Sequence, residues 1–339
     1  MLQVPVNLAV LSYSLTSHIF AVRASVTSKP IKQRLKQRLW NASPAAFQRL
    51  TAPHRGQRFS IGIFTGDSPL SLAAPAGVQN PVLTCADVDD IPAAFVADPF
   101  MIRNQQRWYM FFEVLSKIVH RGVIALATSV DACDWRYEGV VLTEPFHLAY
   151  PSVIAWGQSF YLIPDTPSEG VLLYKADHFP REWQSLGKII DGKFFSDSSV
   201  FRHDETWWMF TAWAPTRLAP KSLRLFSAEE LTGPWREHPA SPVVTNDDHI
   251  SRPAGSVRIV DDRLVRFTQD TASSYGSMVS AYEILELSPT QYRERDMGRV
   301  LSGGDAPWNS GGMHHLDAHR LHDGSWIACV DGWMQTPDK

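Results

Sequence analysis

Residues 98–113 read DPFMIRNQQRWYMFFE, and this stretch contains the pattern that decides the fold. A polar residue opens a short strand, a polar turn follows, and an aromatic-rich strand ends in another polar residue. Four later stretches repeat the pattern, at residues 150–165, 197–211, 252–270 and 317–331. The opening residues lie 52, 47, 55 and 65 positions apart, and repetition at this spacing indicates one structural unit per period.

A second hairpin follows each of the first four stretches, with a Trp or Tyr ahead of an apolar strand. The aromatic residues at these positions are Trp135, Trp183, Trp235 and Tyr292. Two hairpins per period make a four-stranded sheet, and five such sheets pack face to face as propeller blades. The sequence therefore predicts an all-β fold, a five-bladed β-propeller with four-stranded antiparallel blades.

The chain has 339 residues, which we divide into a short N-terminal extension, 1–57, and a propeller, 58–339. The last repeat lacks its second hairpin after Asp331, so we expect the strand near Phe59–Phe64 to complete that blade and close the ring. Closure of this kind removes two exposed sheet edges. Within the extension, the basic segment 29–40 is interpreted either as a short helix, with Leu35 and Leu39 on one face, or as a solvated charged segment.

The composition excludes some classes of function. A formal net charge of −3 provides no broad attraction to nucleic acid, so no nucleic-acid partner is expected. No apolar run approaches the roughly 20 residues that a membrane-spanning helix needs, so no membrane span is expected. The three cysteines are widely spaced and odd in number, which is typical of reduced thiols and predicts a cytoplasmic protein. The 12 Trp, 17 Phe and 9 Tyr residues suit β-sheets and sugar-binding clefts alike.

The chemistry is expected at the centre of the ring, because the first strand of each propeller blade lines the central channel. The opening residues of the five repeats are Asp98, Tyr150, Asp197, Arg252 and Asp317. The ends of the second strands add Glu113, Asp165, Gln269, Asp270 and Asp331. At least six carboxylates then share one funnel, where repulsion separates their pKa values as glycoside chemistry requires. The alternative is structural, since a polar opening residue can also satisfy backbone N–H groups in a turn.

Histidines near the fifth opening residue indicate a further interaction in the channel. His315, Asp317 and His319 point to one side of a strand with period-two alternation. Imidazoles and a carboxylate on one face predict either a divalent metal, with His315 and His319 as ligands, or a bridging water. Polar residues also gather in funnels without metal, and no other cofactor is expected. His147, just before Tyr150, is a candidate for contact with a sugar hydroxyl.

Part of the pattern resembles the five-bladed arabinanase and xylosidase-type glycoside hydrolases. The matching residues are Asp98-Pro99, Asp197 with Ser199-Val200-Phe201, and Gly233-Pro234-Trp235 with His238-Pro239. The resemblance implies that Asp98 is the general base and that Asp197 tunes the pKa of the general acid. In those enzymes the acid is a Glu that opens blade four, where this chain has Arg252. Since arginine is no acid at any accessible pH, Glu113, Asp165 or Asp270 would have to replace that Glu.

A closer resemblance covers residues 59–333. The stretches that carry it are residues 95–100, 111–113, 147–151, 252–253, 269–270 and 314–317. They are similar to the propeller region at the N-terminus of plant glucosamine inositolphosphorylceramide transferases. In the plant enzymes sugar transfer is attributed to a separate C-terminal domain, so the resemblance implies the fold and a glycan context.

These observations leave two hypotheses for the function. The first is a carbohydrate-active enzyme that hydrolyses or transfers a sugar, with Asp98, Asp197 and Glu113 as catalytic residues. Its ligand is a carbohydrate or a sugar phosphate, whose negative charge Arg252 would hold. The second is a non-catalytic glycan-binding scaffold in polysaccharide or glycolipid assembly, which the missing glutamate favours. The residues expected to bind the ligand are His147, Tyr150, Asp165, Arg252, Gln269, Asp270, His315, Asp317 and Asp331.

Overall fold

The computed structural model describes residues 56–272 and 274–336, so the expected short helix at 29–40 lies outside the described residues. The described chain forms five antiparallel sheets, which are arranged as a five-bladed propeller. This arrangement confirms the all-β fold that the repeats predict. Within the same residues, no helix has the length and apolar character needed to cross a membrane.

Blades one to three follow one another along the chain, and each contains two consecutive hairpins. Blade one contains β3 (Ala93–Asn104), β4 (Arg107–Ser116), β5 (Gly122–Ser129) and β6 (Arg136–Leu142). Blade two contains β7 (Ala149–Trp156), β8 (Ser159–Asp165), β9 (Val171–His178) and β10 (Glu182–Ile190). Blade three contains β11 (Phe195–His203), β12 (Thr206–Trp213), β13 (Ser222–Ala228) and the short β14 (Arg236–Glu237).

Blade four has an inner strand in two pieces, β15 (Arg252–Pro253) and β16 (Arg258–Val260), which both pair with the second strand. Its other strands are β17 (Arg263–Asp270), β18 (Met278–Leu287) and β19 (Tyr292–Ser302). Blade five combines the two ends of the described chain, in the order β20, β21, β1, β2 from inside to outside. These strands are β20 (Gly312–Arg320), β21 (Trp326–Gln335), β1 (Gln57–Ser68) and β2 (Ser71–Ala73).

Pairing of β1 with β21 closes the ring, as the missing hairpin of the last repeat predicts. The two strands are in register from Gln57 opposite Gln335 to Gly66 opposite Trp326. Alternate side chains of β1 are apolar, and Ile61 and Ile63 are fully buried against blade one. Burial of this apolar face holds the two ends of the described chain together.

Three of the five opening residues share the same local backbone distortion, a positive φ angle at a β-bulge. Asp98, Tyr150 and Asp197 have φ angles of 54°, 45° and 53°, in the left-handed region. At each of them the register with the next strand shifts, as in a β-bulge. A bulge re-aims a side chain, and this φ is more costly for a bulky residue such as Tyr150 than for aspartate. The hydroxyl group of Tyr150 compensates, because it is hydrogen-bonded to Ser199 and Gly255.

Replacing Ile61 by Ala should lower the free energy of unfolding by about 2–5 kcal/mol, because it leaves a cavity beside the strand pair that closes the ring. Urea denaturation followed by intrinsic fluorescence measures the loss. Ile259→Ala makes the same change at a side chain that is 59% exposed, and it should cost about 0.5 kcal/mol or less. Equal losses in the two variants would contradict the closing role of β1.

Candidate functional site

A narrow cavity opens at the centre of the ring. Its polar lining side chains are Asp98, Glu113, His147, Asp165, Arg252, Tyr275 and His314. The aromatic rings of Phe59 and Phe95, 5.5 Å apart, form part of its wall. The cavity therefore combines carboxyl groups, a guanidinium, imidazoles and aromatic faces, which are the groups that bind sugars and their charged derivatives.

Sequence reasoning identified five of these polar residues and missed His314 and Tyr275. Period-two alternation placed His315, Asp317 and His319 on one face, and His314 received no role. The register of β20 with β21 shifts between Gly312 and His315, however, and this irregularity turns His314 to the cavity. Tyr275 lies in the connection between β17 and β18, where the repeat contains no signal for a site residue.

Asp98 lies at the meeting point of blades one, two and five. Its backbone N–H donates a hydrogen bond to Asp331 Oδ2 (2.9 Å), and its own Oδ2 accepts one from the backbone N–H of Tyr150 (3.2 Å). Its Oδ1 lies 3.5 Å from His314 Nε2. Burial raises the pKa of Asp98 to about 7. The charge of His314 lowers this pKa, whereas the charges of Asp197 and Asp331 raise it.

Glu113 and Asp165 are two further carboxyl groups that line the cavity. Burial, together with the charges of neighbouring carboxylates, raises the pKa of each well above its usual value. Among the described residues, the buried Oε1 of Glu113 has no hydrogen-bond partner. It lies 3.6 Å from His147 Nε2, which is beyond hydrogen-bonding distance.

His147 is neutral in this environment. Burial and the nearby charge of Arg252 lower its pKa to about 4. Its Nδ1 accepts a hydrogen bond from the backbone N–H of Gly122 (2.9 Å), so the proton of the neutral ring is on Nε2, facing Glu113. This leaves an N–H donor at the cavity wall beside a carboxyl group.

Arg252 forms an ion pair with Asp197, the opening residue of the preceding blade. The Nε–H of Arg252 donates to Asp197 Oδ2, and Gln269 Nε2 donates to the same oxygen at 2.9 Å. The guanidinium carbon lies 5.0 Å from the centre of the Tyr275 ring. Burial disfavours the charge of Arg252, but the Asp197 carboxylate outweighs it and keeps the pKa of Arg252 well above its usual value. Asp197 is thus held through Oδ2, while its buried Oδ1 has no hydrogen-bond partner among the described residues.

Tyr150 and His315, which the sequence assigned to ligand binding, are instead packed below the cavity. Both are fully buried, and their rings meet Phe100 edge to face at 4.8 and 4.7 Å between centroids. The three residues come from the inner strands of three different blades. The three side chains pack against one another in the channel, and both ring nitrogens of His315 are buried without a hydrogen-bond partner among the described residues.

Asp317 and His319 also form a structural group. Asp317 accepts hydrogen bonds from the backbone of Met101 (3.0 Å), from Arg258 (2.6 Å) and from His319 (2.9 Å). Although burial alone raises the pKa of Asp317, Arg258 and His319 outweigh it and hold this pKa well below its usual range. Asp270 is likewise engaged by the protein, since it pairs with His249 at 2.8 Å.

The two histidines assigned to a metal have different neighbours, because His319 is held by Asp317 whereas His315 lies between aromatic rings. Within the described part of the chain, Asp98, His314 and Asp331 are close enough to surround one ion, with ligand atoms within 4.8 Å of one another. His314 Nδ1 and Asp331 Oδ1 are only 2.6 Å apart, however, and their hydrogen bond leaves no space for an ion between them. These three residues hold each other, and their geometry does not fit a metal.

Comparison with known protein families identifies the type of propeller. The sequence model of one family, the N-terminal region of glucosamine inositolphosphorylceramide transferase 1, matches residues 53–333. The chain belongs to this N-terminal family. The resemblance carried by the six short stretches is thereby confirmed. A member from Oryza sativa subsp. japonica, named glucosamine inositolphosphorylceramide transferase 1, is 32% identical over 296 residues.

The alignment with that family member covers 81% of this chain and 40% of the rice protein, so the chain spans less than half of its length. Solved structures share the fold. A β-1,2-mannobiose phosphorylase from Listeria innocua superimposes with a TM-score of 0.58 at 11% identity, covering 79% of this chain and 96% of the other. An exo-1,5-α-L-arabinanase from a bovine ruminal metagenomic library superimposes with a TM-score of 0.52 at 14% identity, covering 71% and 89%.

Asp317→Asn should destabilise the protein by about 2 kcal/mol at neutral pH, because it removes the carboxylate partner of Arg258. The depressed pKa means that Asp317 stabilises the fold above the usual carboxyl pKa of 3.8 and that this contribution is lost as the pH falls below it. Between pH 6 and pH 3 the wild type should therefore lose more stability than the variant, as measured by urea denaturation. Asp261→Asn, at an exposed ion pair, should behave as the wild type. Equal acid sensitivity in the wild type and Asp317→Asn would contradict the structural role.

Proposed function

We propose that the cavity, about 30 Å³ in volume, receives the reacting end of a terminal sugar and that Glu113 and Asp98 cleave or transfer its glycosidic bond as an acid and base pair. The observation that carries the proposal is the unpartnered, buried Oε1 of Glu113 in a cavity that Asp98 also lines. A buried carboxyl group without a partner is costly to the fold. A ligand atom that bonds to it recovers that cost, which is typical of a functional site.

Glu113 takes the role of the general acid. Its raised pKa favours the protonated form, which can donate its proton to the oxygen that leaves the sugar. In this way Glu113, on β4, replaces the glutamate that opens blade four in the arabinanase-type enzymes. Asp165, whose pKa is raised in the same way, lines the same cavity.

Asp98 takes the role of the general base. With a pKa of about 7, a large fraction of the carboxyl group is ionised at neutral pH. The carboxylate accepts the proton of a water or of an acceptor hydroxyl as that oxygen attacks the anomeric carbon. The glycosidic bond breaks as the new bond forms, and the proton from Glu113 neutralises the departing oxygen.

Arg252 extends the proposed ligand to sugars that carry a phosphate. Within the described residues, only its Nε makes a side-chain hydrogen bond, so the two terminal amino groups remain available for a ligand. A guanidinium binds phosphate with two parallel hydrogen bonds. The family name supports this reading, since it contains both glucosamine and an inositolphosphoryl group. The names of the two solved structures also refer to carbohydrates.

Glu113→Gln should reduce kcat about hundredfold or more for glycosides with an alkyl leaving group, because an amide cannot donate the proton. For a nitrophenyl glycoside, whose leaving group needs little protonation, the loss should be much smaller. Asp98→Asn should impair both reactions. Release or transfer of sugar from a panel of alkyl glycosides, aryl glycosides and nucleotide sugars measures these differences.

Glu283→Gln is the matched control, because Glu283 is a buried carboxylate that pairs with Arg295 in blade four, outside the cavity. Its turnover should equal that of the wild type. Wild-type turnover of alkyl glycosides by Glu113→Gln would contradict the acid role. Sugar binding by the wild type without any turnover would instead support the non-catalytic glycan-binding scaffold.

Arg252→Gln should weaken the binding of a sugar phosphate about tenfold or more, because two charge-assisted hydrogen bonds are lost. The affinity for the same sugar without phosphate should change much less. Isothermal titration calorimetry with the two ligands separates these effects. A similar loss for both ligands would show that Arg252 acts on the shape of the cavity and not on phosphate.

A further inference from the structure

We propose that Asp331 and His314 form a positioning pair for Asp98, in which Asp331 holds both the backbone of Asp98 and the imidazole that faces its carboxylate. The inference deepens the proposed function, since it takes Asp98 as the reacting carboxylate. His314 comes from β20 and Asp331 from β21, so blade five positions a residue of blade one.

Asp331 is fully buried, and both of its oxygens are in use. Oδ2 accepts the backbone N–H of Asp98 at 2.9 Å, while Oδ1 accepts Nδ1–H of His314 at 2.6 Å. The bulge at Asp98 interrupts its pairing with β4 between Ala97 and Phe100. Asp331 therefore supplies the acceptor that this N–H group needs when it is buried.

The imidazole of His314 has little freedom to rotate. Its ring centroid lies 4.7 Å from that of Phe59 and 5.3 Å from that of Tyr275. The chain passes so close at Gly276 that a Cβ atom there would lie 2.9 Å from the Cβ of His314. With Nδ1 bonded to Asp331, the second nitrogen faces Asp98 Oδ1 at 3.5 Å, within reach of a small shift.

Besides His314, several charged and titratable groups face Asp98 from other elements. They are Glu113 on β4, Tyr150 on β7, Asp165 on β8, Asp197 on β11, Arg252 on β15, Tyr275 between β17 and β18, and Asp331 on β21. The carboxylates favour a neutral Asp98. Arg252 is bonded to Asp197, and within the described part of the chain His314 is the cationic group that pairs with Asp98.

The charge of His314 itself depends on Asp331. Burial disfavours the imidazolium, but the Asp331 carboxylate outweighs burial and raises the pKa of His314. The imidazolium then favours the ionised form of Asp98, against burial and the neighbouring carboxylates. Removing the imidazole should therefore raise the pKa of Asp98 further above its value of about 7.

The test is His314→Gln, which removes the positive charge and retains a polar side chain of similar length. Carboxyl NMR of protein labelled at aspartate, with Asp98 assigned by the signal that Asp98→Asn removes, should show the Asp98 midpoint about 1 pH unit higher or more. The acidic limb of kcat/KM should move in the same direction, and kcat should recover at alkaline pH. A purely structural role would lower stability without moving either midpoint.

His238→Gln is the control, because His238 is equally buried but contacts Ser288 and Ala240 far from the cavity. It should leave the Asp98 midpoint unchanged. Asp331→Asn provides a second test that does not require His314→Gln to fold, and the His314 ring should then titrate at lower pH. An unmoved Asp98 midpoint in His314→Gln, or an unmoved His314 midpoint in Asp331→Asn, would overturn the pair. Both titrations are recorded without substrate, so an absence of turnover would count against the proposed function alone.

Discussion

Burial of charge around one axis is the constraint on which the rest of this structure depends. A propeller brings the inner strands of all its blades together, and in this chain those strands carry acidic residues. A carboxylate that leaves water must find a cation, receive hydrogen bonds or take up a proton. Asp197 is paired with Arg252, Asp317 with Arg258, and Asp331 with His314. Among the described residues Glu113 and Asp165 have no such pair, and burial raises the pKa of each well above its usual value.

Equivalent positions in the repeat acquire different roles through their partners. Asp98 and Asp317 both lie within an inner strand, and both are almost completely buried. Asp317 accepts hydrogen bonds from three donors and stays ionised, and these bonds link blades four, five and one. Asp98 receives one backbone donor and a more distant imidazole, which places its titration near neutrality. Their different partners therefore give two equivalent carboxyl groups opposite pKa shifts.

Arginine stands at the start of blade four, where the resemblance predicts a glutamate, and this difference changes the charges of the site. Arg252 neutralises Asp197 and stacks on Tyr275, which fixes a positive charge in the cavity wall. An acid in the same place would have faced Asp197 with like charge. The proposed acid role moves to Glu113 on the second strand of blade one, where burial raises the pKa of the carboxyl group.

The repeats in the sequence predicted the number of blades and the closure of the ring by the strand at Phe59–Phe64. They also pointed to five polar residues of the cavity wall. These features depend on alternation and spacing, which each repeat contains within itself. The repeat does not predict the contact partners of four residues, Tyr150, His314, His315 and Asp317, because those partners lie on other blades. The hydrogen bond between Asp98 and Asp331 joins residues 233 positions apart. Only the packing of the folded ring determines which buried charges meet, and therefore which carboxyl group remains free to react.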